Sequence, residues 1–323
     1  MEKLDLKDRK ILYELDLNSR QSDSEIGRKV GLNKAMVSYR INRLIEKGII
    51  KKFYTMIDAS RLGYLSCRFF LKFQYDDLEK EKEIIDYFVS QPYSWWVPSI
   101  EGPLDLAVIL WTRDTYEFYE IIKNVLNKYK PFIKDFLPGI YAKFHQFRRN
   151  YLLEKQEIVA EPVLTCFREK IDVDKTDINI LKIIAENARI PTVNIADKLN
   201  LSSATISQRI KRLTQKNVIQ GYRAAIDLGK IGYYWYKLRL DLKDFSRTKE
   251  ILLYAKNHPN IIYAYEVIGG ANLELEMELE SYDHFKVLSN DLRKKFSDAI
   301  RFYDYFLFYK EHKILYMPMT GCT

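Results

Sequence analysis

The side chains best equipped for chemistry stand on two short stretches that mix arginine, hydroxyl and amide groups. Asn33 to Gly48 reads NKAMVSYRINRLIEKG, and Ser202 to Asn217 reads SSATISQRIKRLTQKN. At one offset of 169 residues (204 less 35) they share Ala35/Ala204, Ser38/Ser207, Arg40/Arg209, Ile41/Ile210, Arg43/Arg212, Leu44/Leu213 and Lys47/Lys216. Each opens on a capping residue, Asn33 or Ser202, whose side-chain oxygen can satisfy an orphan amide of the first helical turn. Val37, Ile41 and Leu44 recur at helical spacing, as do Ile206, Ile210 and Leu213, so each stretch predicts an amphipathic helix with an inward apolar face. The opposite face carries Ala35, Tyr39 and Asn42 in one copy and Ala204, Gln208 and Lys211 in the other. Arginine pairs bidentately with guanine, asparagine and glutamine with adenine, and serine with several acceptors. This is chemistry for reading base edges in a DNA groove.

The candidate DNA contacts are therefore Lys34, Ser38, Tyr39, Asn42, Arg43, Lys51 and Lys52 in the first copy. In the second they are Ser203, Thr205, Ser207, Gln208, Lys211 and Arg212. Lys34, Lys51 and Lys52 suit phosphates, which fix register without carrying sequence information. Arg40 and Arg209 lie nearer the buried flank and are expected to form structural ion pairs with Asp8 and Asp177. The outward faces differ between the copies, so the preferred DNA is expected to hold two non-identical half-sites.

Other chemistries find little support. The four histidines, His145, His258, His284 and His312, are scattered, and none sits at metal-ligand spacing from a cysteine or carboxylate. Cys67, Cys166 and Cys322 form no Cys-x-x-Cys pair, which argues against a zinc site or a disulfide framework. No G-x-x-x-x-G-K-[ST] loop or G-x-S-x-G turn occurs. No metal and no cofactor are expected. The net charge of +8 favours a polyanionic partner. No apolar run approaches the roughly 18 residues of a membrane span, and the charged start MEKLDLKDRK has no signal core. A soluble, cytoplasmic protein without membrane contact is the expectation.

A helix capped by Asp5, a short helix from Asp23 to Val30 and the helix from Asn33 form a helix-turn-helix, followed by an extended Ile49 to Asp58. From Tyr64 the period changes: Cys67, Phe69, Leu71 and Phe73 alternate with Arg68, Phe70, Lys72 and Gln74. The order strand, helix, strand, strand, helix, strand follows to about Phe147, that of a ferredoxin-like sandwich. Its uncovered sheet face predicts pairing with a second such domain. Everything then repeats. The expected class is α+β, with two winged-helix/helix-turn-helix domains and two ferredoxin-like βαββαβ domains in tandem. Their bounds are 1–62 and 63–150, a linker over 151–170, then 171–231, 232–312 and a tail over 313–323.

With these elements placed, the chain resembles a tandem duplication of the Lrp/AsnC transcription regulators. The resemblance rests on Asp5 and Asp8 (Asp174 and Asp177), on Asn18-Ser19-Arg20 (Asn187-Ala188-Arg189), and on Arg40 to Leu44 (Arg209 to Leu213). It implies double-stranded DNA as partner, a sandwich that oligomerises, and a small effector such as an amino acid. Internal pairing as a pseudo-dimer and homo-oligomer formation through sandwich edges both follow from it. The effector turn, often Gly-x-x-Asp, is Gly102-Pro103-Leu104-Asp105 in one copy and Gly269-Gly270-Ala271-Asn272 in the other. Gly102, Asp105, Gly269 and Asn272 are the candidate effector residues, and the missing carboxylate alters the second site. An alternative on the same fold is an enzyme resembling sirohaem decarboxylases. Their arginine and histidine positions read Ser94-Trp95-Trp96-Val97 and Ile262-Tyr263-Ala264-Tyr265 here, with neither residue type.

Overall fold

Local hydrogen bonding sets the helices of each DNA-binding unit. A computed structural model describes residues 2–74, 77–153 and 169–319, together with the backbone of 163–165. Ile158, Val159, Pro162, Cys166 and Cys322 lie outside the described residues. The first unit comprises α1 (Leu6–Leu17), α2 (Asp23–Val30) and α3 (Lys34–Glu46), followed by β1 (Ile50–Ile57). The Asp5 side chain accepts the Asp8 amide at 2.8 Å, Ser22 and Glu25 form a capping box, and Asn33 accepts the Met36 amide at 2.8 Å. The turns after α2 and α3 need left-handed backbone. Gly31 and Gly48 supply it at φ 69° and 66°, and the second copy uses Asn200 and Asn217 at 52° and 55°.

The first sandwich is β2 (Leu65–Phe73), α4 (Leu78–Ser90), β3 (Ser94–Glu101), β4 (Leu106–Thr112), α5 (Thr115–Tyr129) and β5 (Ile133–Gln146). A short β6 (Val163–Thr165) follows and pairs with Lys143 to His145 of β5, where the sequence predicted only a linker. The second copy runs α6 (Lys175–Glu186), α7 (Thr192–Leu199), α8 (Ser203–Gln215) and β7 (Ile219–Ile226). It continues through α9 (Leu228–Ile231), β8 (Tyr234–Leu242), α10 (Thr248–Asn257), β9 (Ile261–Ile268), β10 (Leu273–Leu279), α11 (Tyr282–Lys295) and β11 (Ile300–Ile314).

The two sandwiches do not stand apart. The strand order is β2-β4-β3-β11-β8-β10-β9-β5-β6, and a further β2–β5 pairing carries the first eight strands round into a ring. Two long strands make this possible. β5 pairs with β2 through residues 133–140 and with β9 through 140–146. β11 pairs with β8 through 300–308 and with β3 through 307–314. The exposed sheet face expected to seek a partner finds it inside the same chain.

Helices α4 and α5 cover one outer face through Phe69, Phe88, Val108 and Val125, and α10 and α11 cover the other through Leu238, Ile251, Leu275 and Phe285. The inner faces close on each other, so β4 and β10 are buried along their whole length. This corrects the expected tail. Tyr316 and Met317 are core residues, the Leu315 amide donates to the Trp95 carbonyl at 2.6 Å, and Met319 reaches Pro92. Their apolar character is visible in sequence, but the surface that receives them belongs to the other copy.

The ring encloses charge. Glu274, Glu276 and Glu278 point inward from β10 with no exposure, where the first copy has Ala107, Ile109 and Trp111. Arg68 meets Glu274 at 2.6 Å, and Lys237 lies 2.8 Å from Glu274 and 3.1 Å from Glu276. Burial works against the Glu274 charge, but Arg68 and Lys237 outweigh it and hold this carboxyl below the usual range. At Glu276 burial wins and pushes the carboxyl up. Removing one partner of such a pair strands a buried charge, at about 3–5 kcal/mol. Glu274→Ala is therefore expected to lower unfolding stability by about that much, and an Arg68→Met/Glu274→Met double variant to recover most of it. Urea denaturation measures both, and a loss below about 1 kcal/mol for the single variant would contradict the assignment.

Candidate nucleic-acid interface

The recognition helices are set by an intrachain two-fold. β1 and β7 pair antiparallel with Ile50 opposite Ile226 and Ile57 opposite Ile219, so the start of each strand faces the end of the other, as a two-fold requires. Each helix-turn-helix then docks on the other copy's strand. The Ser19 amide donates to Tyr222 O at 2.8 Å, and its equivalent, Ala188, donates to Phe53 O at 3.1 Å. The asparagines before these loops brace them, Asn18 accepting the Arg20 amide and Asn187 the Arg189 amide, each at 2.9 Å. The arginines cross between units: Arg20 donates to the Ala188 carbonyl at 2.6 Å, and Arg189 pairs with Asp23 at 2.6 Å. The spacing of asparagine and arginine was legible in sequence. This bridging role was not, because it needs the partner copy.

Within each unit a buried aspartate anchors the recognition helix. Arg40 Nη1 meets Asp8 at 2.8 Å and Asp5 at 2.7 Å; Arg209 Nη1 meets Asp177 at 3.0 Å and Asp174 at 2.6 Å. The expected ion pairs are present. The same aspartates also take the second arginines: Arg43 reaches Asp8 at 2.7 Å, and Arg212 reaches Asp177. Two residues assigned to DNA from sequence thus have a guanidinium nitrogen committed to the helix below.

The outward faces are open. Lys34, Tyr39 and Asn42 are exposed on α3, Tyr39 at 60%, with Ser38 half-buried. Ser203, Ser207, Gln208, Lys211 and Arg212 are exposed on α8, and Thr205 is half-buried against the Ser202 cap at 2.8 Å. Met36, equivalent to Thr205, is also exposed on this surface, and was missed because it scans as a core residue. Of the two β1 lysines, Lys51 is exposed and faces Asp227 at 3.7 Å. Lys52 is a correction: half-buried, it donates to the Ile314 carbonyl at 2.5 Å, so its charge is spent on the returning C-terminal strand.

The glycine turns occupy the seam between copies. Gly269 has φ 92°, and a Cβ there would lie 2.9 Å from the Pro138 carbonyl of β5. Gly102 sits in the same way against Phe306 of β11. Asp105 accepts the Phe73 amide at 2.7 Å and Lys72 at 2.8 Å. Asn272 accepts the equivalent Leu242 amide at 2.8 Å, and the residue equivalent to Lys72 is Asp241. The lost carboxylate is thus matched by a lost lysine, while the bond that locks the turn is kept.

Three histidines serve the frame: His145 bonds Glu266 at 3.1 Å, His312 bonds Ser99 at 2.8 Å, and burial pushes His258 down to about 4. Burial pushes the Cys67 thiol up to about 11. Among the described residues no cluster of histidine, cysteine and carboxylate could hold a metal, and no helix is long and apolar enough to cross a membrane.

A family described as winged helix-turn-helix DNA-binding matches residues 4–51 and 173–220, the two units just described. The transcriptional regulator LrpA of Pyrococcus horikoshii is 30% identical over 99 residues, covering 27% of this chain and 70% of LrpA. The chain belongs to the Lrp/AsnC family of transcription regulators. A second relative, the HTH-type transcriptional regulator Ptr1 of Methanocaldococcus jannaschii, is 34% identical over 98 residues, 30% of this chain and 66% of Ptr1. A siroheme decarboxylase, NirDL, shares the fold over 97% of this chain and 94% of its own, with a TM-score of 0.65 and 15% identity. This chain is thus a duplicated Lrp/AsnC protein in which both copies keep the aspartate-anchored recognition helix.

If Asp8 positions α3 through Arg40, the two residues must be energetically coupled. A double-mutant cycle with Asp8→Ala and Arg40→Ala is expected to show a coupling of about 0.5–3 kcal/mol, and a value of zero would remove the anchor. The Arg209 guanidinium holds the neighbouring Asp174 carboxyl below the usual range. Its contribution is present at neutral pH and is lost as pH falls below about 4, through that lowered value.

Proposed function

We propose that this chain is a sequence-specific DNA-binding transcription regulator whose two halves read non-identical half-sites, with a small effector such as an amino acid modulating it. The observation that carries this reading is a pair of exposed recognition faces that differ in chemistry on a frame that repeats. Met36, Tyr39 and Asn42 on α3 stand where Thr205, Gln208 and Lys211 stand on α8. Gln208 and Asn42 are suited to adenine, Lys211 to guanine or phosphate, and the apolar Met36 to a thymine methyl. Of the arginines, Arg212 is the more exposed and the better base or phosphate contact; Arg43 positions its helix first. Lys34 and Lys51 supply phosphate contacts.

The effector reading draws its support from family membership. Gly102, Asp105, Gly269 and Asn272 are the residues proposed to face such a ligand, and their turns lie at the seam where the copies meet. An effector there would act on both copies together.

A second reading, an enzyme acting on a tetrapyrrole, has one observation in its favour: the likeness in fold to NirDL over nearly the whole chain. Against it, the β3 and β9 stretches carry tryptophan and tyrosine where that class of enzyme would need histidine and arginine, and His145 and His312 are bonded into the frame.

Selection of bound duplexes from a random pool, at stated salt because phosphate contacts make affinity salt-dependent, decides between them. The expected outcome is an asymmetric pair of half-sites. A perfect inverted repeat would contradict the two-reader account, and no enrichment together with a new absorbance band on adding an iron tetrapyrrole would favour the enzyme.

A further inference from the structure

A pocket of about 270 Å³ lies between the β1/β7 pair and the mouth of the ring. Its walls come from both layers: Tyr54 of β1 and Ile226 of β7 above, Trp235 of β8, Tyr263 of β9 and Phe308 of β11 below. Aromatic faces dominate, and they are packed into place. Trp235 and Phe308 have ring centroids 4.9 Å apart, and Tyr54 and Tyr263 are almost wholly buried. The volume is near the lower end of small-molecule sites, so the occupant is of the size of one ring or one branched chain.

The charges on this pocket are unequal in availability. Arg149 lines it, but is saturated by Asp16 at 2.5 Å and Glu278 at 2.8 Å. Lys51 and Asp227 face each other at the rim. Lys310 is exposed beside them. Glu311 is different. Its Oε2 accepts the Trp96 indole at 3.0 Å, and its other oxygen has no hydrogen-bond donor among the described residues. Burial pushes its carboxyl above the usual range, against the Trp96 hydrogen bond and the pull of Lys51, Lys52 and Arg149. Nothing in the other half repeats this arrangement. The residue equivalent to Glu311 is Phe144, stacked on Tyr265 at 4.7 Å, and the one equivalent to Trp235 is Ser66.

An aromatic-walled site with one underused carboxylate selects a cation with an apolar body. We propose that this pocket binds a small primary ammonium bearing an aromatic ring or branched chain, its ammonium on Glu311 and its apolar part against Trp235, Phe308 and Tyr263. Because β1 and β7 carry the two helix-turn-helix units, occupancy couples to the recognition helices, a consequence that rests on the DNA-binding reading. The binding itself does not.

Calorimetric titration of the full chain without DNA tests the site, using 2-phenylethylamine and 3-phenylpropionate as probes of like size and opposite charge. The amine is expected to bind at least about tenfold more tightly than the acid, and Glu311→Gln, which keeps an acceptor for Trp96, to lose at least about tenfold in amine affinity. Equal binding of the two probes, no binding of the amine, or a Glu311→Gln chain that binds the amine unchanged would each overturn the proposal. The comparison of probes on the unaltered chain stands even if the variant fails to fold. A negative result without DNA leaves the DNA-binding reading untouched, so the two fail separately.

Discussion

The structure depends on two strands that each serve both copies. A single ferredoxin-like sheet leaves one face bare, and here β5 and β11 run past their own sandwiches to pair with β9 and β3. Closing the ring removes both sheet edges and both bare faces at once. It also ties the two copies together, and the β1/β7 pair joins them a second time. The recognition helices inherit their mutual placement from this pairing rather than from a subunit interface. What two chains would have to find by association is present here by covalent connection.

The frame is two-fold, but what fills it is not. Under the first helix-turn-helix, Asp16 takes Arg149 and Arg223, and Arg149 also takes Glu278, all buried. Burial would raise the Asp16 carboxyl, yet the two guanidinium groups outweigh it and hold it below the usual range. The equivalent positions under the second unit are Ala185, Tyr316, Tyr54 and Trp111. These pack as rings, Tyr54 stacked on Tyr316 at 5.5 Å and Trp111 on Trp95 at 5.2 Å. One DNA-binding unit is seated on an ionic cluster and the other on an aromatic one. Charge pairs demand defined geometry, whereas ring contacts tolerate small slides. Divergence after duplication has thus reached the seats of the readers as well as their faces.

The parts legible in the sequence were those set by local physics. Caps at Asp5, Asn33, Asp174 and Ser202, the helical apolar stripes and the alternation around Phe69 all act within one element, so periodicity reports them. The Arg40–Asp8 pairing was readable because two copies repeat both residues. What escaped needed the other copy as context. The run Glu274, Glu276, Glu278 looks like a solvated strand face until the ring closes over it, although three alternating glutamates on a strand expected to be covered were a usable signal. Lys52 looked like a phosphate contact because the segment that captures it arrives from Ile314, far along the chain. Residues after His312 looked like a tail for the same reason.

The central claim is that one repeated frame holds two readers whose specificity lies where their outward faces differ. The most direct measurement is to give the first face the second one's chemistry, with Met36→Thr, Tyr39→Gln and Asn42→Lys in the full chain, and to determine its preferred DNA. These residues are exposed, so the frame should be kept. The account predicts that the preferred site moves from an asymmetric pair of half-sites to an inverted repeat. An unchanged asymmetric preference in a folded, DNA-binding variant would contradict it.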